Sequence, residues 1–229
     1  MNITYYGHSC FGVEVNGKHI LFDPFISHNE LAKGVVDVNT VKADYILITH
    51  GHEDHVADAV TIASRTGAKV ISSFEICEWL KKQGVSNTQG MNIGGKIKFE
   101  FGNVKCVVAI HSSAFPDGTY AGNPMGFVVE STVGNFYYAG DTALTYDMKL
   151  IGDYRNVDFA FLPIGDIFTM GVDNAIIASE FIQCRNIIGM HYDTFEAIKI
   201  DKALAVRKFN NSGNSLTLFE IGETRQFGS

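Results

Sequence analysis

Apolar and polar positions alternate over "ITYYG" (3–7) and "CFGVEV" (10–15). A turn at "NGK" leads into "HILFDP" (19–24), so the chain opens with strands. "DYILIT" (44–49) is a continuous apolar run of strand length, and "KVISS" (69–73) is another. Between them "HVADAVTIASRTG" (55–67) has helical spacing and stops at a glycine, as does "FEICEWLKKQG" (74–84). "KIKFEFGNVKCVVAI" (96–110) reads as a hairpin turning at Gly102-Asn103. "MGFVVES" and "NFYYAGD" read as a second hairpin turning at Val133-Gly134. Further on, "DFAFLPI" and "NIIGMH" read as strands, "NAIIASEFIQC" and "DKALAVRKFNN" as helices, and "SLTLFEI" as a last strand.

Two β-rich halves, each with helices on one outer face, fit an α/β fold of four layers, αββα. Composition alone does not choose it over other α/β folds. The 229 residues are expected to form one domain, residues 1–229, since no linker or low-complexity tract interrupts them. The terminal Gly228–Ser229 pair reads as a cloning remnant and carries no weight.

Composition narrows the function classes. Hydrophobic residues make up 46%, ample for a core, and charged residues 19%. A formal charge of −7 disfavours a general nucleic-acid binder. Cys10, Cys77, Cys106 and Cys184 form no CxxC pair and read as reduced thiols of a cytoplasmic protein. The N-terminus lacks the pattern of a signal peptide, and no apolar run is long enough to cross a bilayer, so no membrane partner is expected.

The chemistry is concentrated in "ITHGHEDHVAD" (48–58), where three histidines and three acids follow an apolar strand. In extended backbone His50 and His52 point the same way, whereas adjacent Asp54 and His55 diverge unless the chain bends sharply. One tetrahedral ion does not take all four, so the spacing suggests two ions. His111, Asp141 and His191 each follow the C-terminal end of a predicted strand, where sites assemble in sheet proteins. Seven donors fit two ions: His50, His52 and His111 on one; Asp54, His55 and His191 on the other; Asp141 bridging. Imidazole and carboxylate without thiolate suit Zn²⁺ first, and also Mn²⁺, Fe²⁺ or Ni²⁺. Room for a water marks a catalytic site. The plain alternative is a solvated polar turn, with strand-end caps at the three outlying positions.

"HGHEDH" has the form H-x-H-x-D-H. With "GDT" (140–142), His111 and His191 it resembles the metallo-β-lactamase superfamily over nearly the whole chain. "YYGHSCF", "LFDPF", "LPIGDIFTMG" and "GMHYDTF" are similar to uncharacterised bacterial and archaeal metal-dependent hydrolases akin to ascorbate-6-phosphate lactonase. The resemblance implies the αββα sandwich and the ligand division above. It places His8 near the site, to bind substrate or orient a ligand; a hydrogen-bonded core histidine is the other reading. Asp23 either accepts a ligand histidine's free N–H or starts the turn before Pro24. "GDIFTMG" (165–171), with Asp166, resembles a pocket-lip loop on which Phe168 and Met170 line a cleft or simply pack. His19 and His28 read as structural, and Glu53 as exposed.

The resulting expectation is a hydrolase. Two divalent ions lower the pKa of a shared water and steady charge on the attacked oxygen, with Asp54 or a free histidine carrying a proton to the leaving group. Its partner is a small metabolite, an anionic one included, cleaved at an ester, lactone, amide or phosphoester bond; a homo-oligomer is left open. Oxygen-reducing di-iron relatives carry Glu where this chain has His52, which makes a redox role secondary. A metal-binding regulatory module without turnover is the non-enzymatic alternative.

Overall fold

A computed structural model describes residues 1–227; Gly228 and Ser229, read above as a cloning remnant, lie outside the described residues. The strands and α-helices run β1 Asn2–Gly7, β2 Cys10–Val15, β3 Lys18–Phe22, β4 Tyr45–Leu47, α1 Glu53–Val56, α2 Ala59–Thr66, β5 Lys69–Ser73, α3 Phe74–Lys82 and β6 Thr88–Met91. They continue as β7 Lys96–Phe99, β8 Gly102–Val108, β9 Met125–Ser131, β10 Gly134–Tyr138, α4 Met148–Tyr154, β11 Phe159–Pro163, α5 Val172–Phe181, β12 Asn186–Met190, α6 Lys202–Asn211, β13 Ser215–Thr217 and β14 Thr224–Gln226.

Two seven-stranded sheets result, ordered β14-β1-β2-β3-β4-β5-β6 and β13-β12-β11-β10-β9-β8-β7. The expected α/β sandwich is therefore present, with helices flanking two mixed sheets. Each sheet has an antiparallel part (β1-β2-β3; β7-β8-β9-β10) continued by parallel strands. Antiparallel pairing reverses direction at every step, so β1 runs with β3 and β4, and β8 runs with β10, β11 and β12. The loops that leave these strands therefore open at one end of each sheet.

Alternation along the strands divides the core. Ile20 and Phe22 on β3 face the second sheet, where Phe22 stacks on Tyr138 at 4.4 Å between ring centroids. Leu21, between them, belongs with Ile46 and Val70 in a separate cluster under Val56, Ile62, Ile76 and Leu80 of α1, α2 and α3. This period-2 division is the pleat expressed as two apolar layers. Local signals set the helix ends: the Ser73 side chain accepts from Ile76 N–H, and Asp201 from Leu204 N–H.

Several elements differ from expectation. The hairpins turn one or two residues early, at Glu100-Phe101 and Thr132-Val133, because Gly102 and Gly134 already pair as strand residues. The helix expected over residues 55–67 is two helices broken at Ala57-Asp58, since the Asp58 carboxylate accepts from Ile26 and Ser27 N–H instead of capping α2. The expected last strand shrinks to β13, and β6, α4 and β14 were not anticipated. β14 pairs with β1, so the last strand closes the first sheet. No helix among the described residues is long and apolar enough to cross a membrane.

Candidate metal centre

Six loops that leave co-directional strand ends build the site. The β1 loop brings His8, β3 brings Asp23, β4 brings His50 to His55, β8 brings His111, β10 brings Asp141, and β12 brings His191. Three of these residues turn in the left-handed region: His8 at φ 57°, Asp23 at φ 41° and His191 at φ 55°. Backbone strain of this kind persists where surrounding structure enforces it, typically at functional sites. The chain links two of them directly, as His191 N–H donates to His8 C=O at 3.0 Å.

Three donor groups converge, each with ligand atoms within 4.8 Å of one another: His50, His52 and His111; His8, Asp54, His55 and His191; and His50, His55 and Asp141. Asp141 Oδ2 is the common point. It lies 3.9 Å from His50 Nε2, 3.3 Å from His55 Nε2, 3.5 Å from His111 Nε2 and 3.0 Å from His191 Nε2. His50 Nε2 and His52 Nδ1 are 3.0 Å apart. Asp54 and His55 do not diverge as adjacent strand residues would. The chain bends into the single turn of α1, which leaves Asp54 Oδ2 3.8 Å from His55 Nε2.

Hydrogen bonds fix which ring nitrogens are free. Asp23 is fully buried and accepts His55 Nδ1–H at 2.9 Å, so it is Nε2 that carries the lone pair whenever His55 is neutral. Thr49 Oγ1 donates to Asp23 Oδ2 at 2.8 Å and must then accept at 3.0 Å from His50 Nδ1–H. The lone pair of His50 is thus also on Nε2, facing Asp141. One carboxylate sets both rings, the arrangement by which outer partners orient metal ligands. Tyr138 hydroxyl and Thr49 N–H also donate to Asp23.

His8 is 1% exposed, with Nε2 3.0 Å from Asp54 Oδ2 and Nδ1 2.9 Å from Thr194 Oγ1. Its burial and its bond to Asp54 fit the reading in which it supports a ligand residue. Asp166 and Phe168 do not join the converging donors. Both are exposed, on a turn closed by the Gly165–Gly171 bridge and tied to the Asp141 loop by Met170 N–H to Thr142 C=O, 3.0 Å. Met170 is 1% exposed and packs in the core, so it does not line a cleft. Glu53 is exposed, 3.5 Å from His28. Sequence reasoning passed over Thr49, Thr194 and Tyr138; Thr49 is a polar residue ending an apolar strand directly before the cluster, which was a usable signal.

The charges are mutually dependent. Burial lowers the pKa of His50, His52 and His111, and brings His8 down to about 4. Burial also opposes charge on His55, but Asp141, Asp23 and Asp54 overcome it and hold His55 well above the usual histidine value. Asp141 is held well below the carboxylate range; burial opposes this, and His191 and His55 outweigh it. Without an ion, a proton on His55 is what neutralises the buried aspartates. Even so, His55 Nε2, His191 Nδ1 and Asp141 Oδ1 are buried without an aligned hydrogen-bond partner. Buried polar atoms are normally satisfied; of these three, His55 Nε2 faces the converging donors, 3.3 Å from Asp141 Oδ2, and an orphan there fits a cation.

Residues 18–192 match the family model described as a β-lactamase superfamily domain. The chain is 55% identical over 224 residues to a "UPF0173 metal-dependent hydrolase" of Flavobacterium johnsoniae, covering 98% of this chain and 99% of that one. It is 51% identical, at the same coverage, to another from Methylacidiphilum infernorum. Among solved structures, Igni18, a metallo hydrolase from the archaeon Ignicoccus hospitalis, superimposes with a TM-score of 0.88 at 36% identity, covering 99% of this chain and 98% of that one. The chain with this histidine–aspartate cluster therefore belongs to the UPF0173 metal-dependent hydrolases of the metallo-β-lactamase superfamily.

Proposed function

We propose that residues 1–229, acting as one domain, hold two divalent ions, Zn²⁺ first among them, and hydrolyse an ester, lactone or phosphoester bond of a small metabolite. His50, His52 and His111 hold one ion; Asp54, His55 and His191 hold the other; Asp141 serves both. The observation that carries this reading is the position of Asp141 Oδ2, within 3.0–3.9 Å of four histidine Nε2 atoms drawn from both donor sets. When bound, the ions supply Lewis acidity and bring the pKa of a shared water toward neutrality.

The chain's own residues do the rest. Asp23 keeps the lone pairs of His50 and His55 turned inward, directly and through Thr49. His8 donates Nε2–H to Asp54 Oδ2, the oxygen that also lies 3.8 Å from His55 Nε2 and from His191 Nε2, and so holds that carboxylate toward the other two donors. Asp54, whose side chain is 24% exposed, is the acid–base group with access to a leaving group. Its carboxyl is held well below the usual range, because His55 and His8 outweigh the opposing effect of burial. It therefore starts the cycle as an anion able to accept a proton.

The test is metal analysis together with turnover of chromogenic esters, lactones and bis-p-nitrophenyl phosphate. Two ions per chain, with activity abolished by chelator and by Asp54→Ala or His191→Ala, is the expected result. One ion per chain at full activity would sink the two-ion reading. Bound metal without turnover on any of these substrates would sink the hydrolytic one.

A further inference from the structure

A cavity lies beside the metal donors, on the far side of His8. It encloses about 570 Å³ and shares His8 and Thr194 with the site. That volume is in the range of small-molecule pockets. His8 Nε2 holds Asp54 while Nδ1 meets Thr194, so one imidazole separates the reacting centre from the cavity. Phe195, the residue after Thr194, is 42% exposed, with its ring 5.5 Å from His8 and 6.4 Å from Phe25.

The wall is apolar and electrically balanced. Leu31 and Val35 are 49% and 56% exposed at the mouth, and Phe219 and Ile221 lie behind them. Two lysines are present, but Lys199 is paired with Glu196, and Lys202 lies 3.3 Å from Asp193 Oδ2. Glu220 and Asp193 in the same wall offset both lysine charges. No arginine lines the cavity, so the forked donor that usually marks a phosphate site is missing.

We propose that this cavity receives the uncharged, apolar tail of the substrate, an alkyl or aryl group carried by the ester or lactone that is hydrolysed at the metal centre. This rests on the hydrolytic reading above and narrows it, placing acyl or aryl esters ahead of sugar phosphates. Burial of each methylene of the tail against Leu31, Val35 and Phe219 favours longer chains until the volume is filled. A water molecule remains the co-substrate: its oxygen bonds the carbonyl carbon, the acyl C–O bond breaks, and one water proton passes to the departing oxygen, which leaves an ester as the alcohol and stays on an opened lactone as a hydroxyl, the other product group being the carboxylic acid.

Binding and turnover are measured separately on the metal-loaded protein. By calorimetry, n-octanol binds the wild type, and n-octyl phosphate binds no more tightly. Val35→Trp and Leu31→Trp, both at exposed positions that tolerate a larger side chain, each weaken n-octanol binding at least tenfold. Along p-nitrophenyl acetate, butyrate and octanoate KM falls at least tenfold in the wild type, and that fall is lost in Val35→Trp. No n-octanol binding, a flat chain-length series, or tenfold tighter binding of n-octyl phosphate overturns the proposal. Octanol binding that Val35→Trp abolishes, with no ester hydrolysed, upholds the apolar cavity and overturns the hydrolytic reading alone.

Discussion

His55 Nδ1 donates to Asp23 Oδ2 at 2.9 Å, and neither side chain has any exposure to solvent. Through Thr49 the same carboxylate also orients His50. Two histidines that the proposed function gives to different ions thus depend on one carboxylate outside the converging donor groups. Asp23→Asn, which keeps the shape and removes the charge, is expected to weaken metal binding about 10–100-fold. Competition with a chelating dye measures this, and unchanged affinity would show that the ring orientations are set elsewhere.

Metal loading should release a proton. His55 is held well above the ordinary histidine value, chiefly by Asp141, Asp23 and Asp54 against the effect of burial, so without metal it is protonated at neutral pH. A cation can use its Nε2 only once that proton has left. Calorimetric titration with Zn²⁺ at pH 7 in buffers of different ionisation enthalpy should show release of about one proton from this histidine. Identical heats in all buffers would mean that His55 is neutral beforehand.

Gly140 precedes Asp141 at φ 63°, and a Cβ there would lie 2.7 Å from Thr49 Cβ. Gly140→Ala therefore combines left-handed strain with a push on the hydroxyl that orients His50. A loss of about 2 kcal/mol is expected from strain and clash, read as a fall of about 4–8 °C in Tm. Metal affinity should fall with it. A fall in Tm without any change in affinity would separate the packing role from the orienting one.

Far from the metal centre, Glu130 is 6% exposed and accepts from Lys96 Nζ, Tyr154 hydroxyl and Arg155 Nη2 at 2.8–3.1 Å. Burial alone would raise its pKa, but these donors outweigh burial and bring it down to about 2. A carboxyl with a depressed folded pKa contributes stability that is full above its unfolded value, near 4.5, and is lost as pH falls toward about 2. Glu130→Gln should cost about 2 kcal/mol at neutral pH. Urea unfolding at pH 5 and pH 3.5 should show the gap between wild type and variant narrowing at the lower pH. A gap that is constant or widens would contradict the assignment.

Some of the site was legible in the residues because it is local. His50, His52, Asp54 and His55 lie within six consecutive positions after an apolar strand, and that concentration of groups that resist burial has few explanations other than ligation. The strand-end positions of His111, Asp141 and His191 were legible by the same rule. Less was legible where turn chemistry is degenerate. Gly102 and Gly134 look like turn residues but pair within strands, and Asp58 looks like a helix cap but bonds the Pro24–Ser27 turn instead.

The sequence by itself determined the alternating strands and the family and pointed to the candidate donors, because the strands and the 50–55 cluster rest on spacing along one stretch of chain and the outlying candidates on their places at strand ends. Only the tertiary structure decided the orientation of the donors and the surroundings of the reacting centre. Asp23 and His55 are 32 positions apart, and His8 and Thr194 are 186 apart, so no local pattern couples them. Which ring nitrogen is free, and that an apolar cavity backs onto His8, follow from the packing of two sheets whose co-directional strands end together.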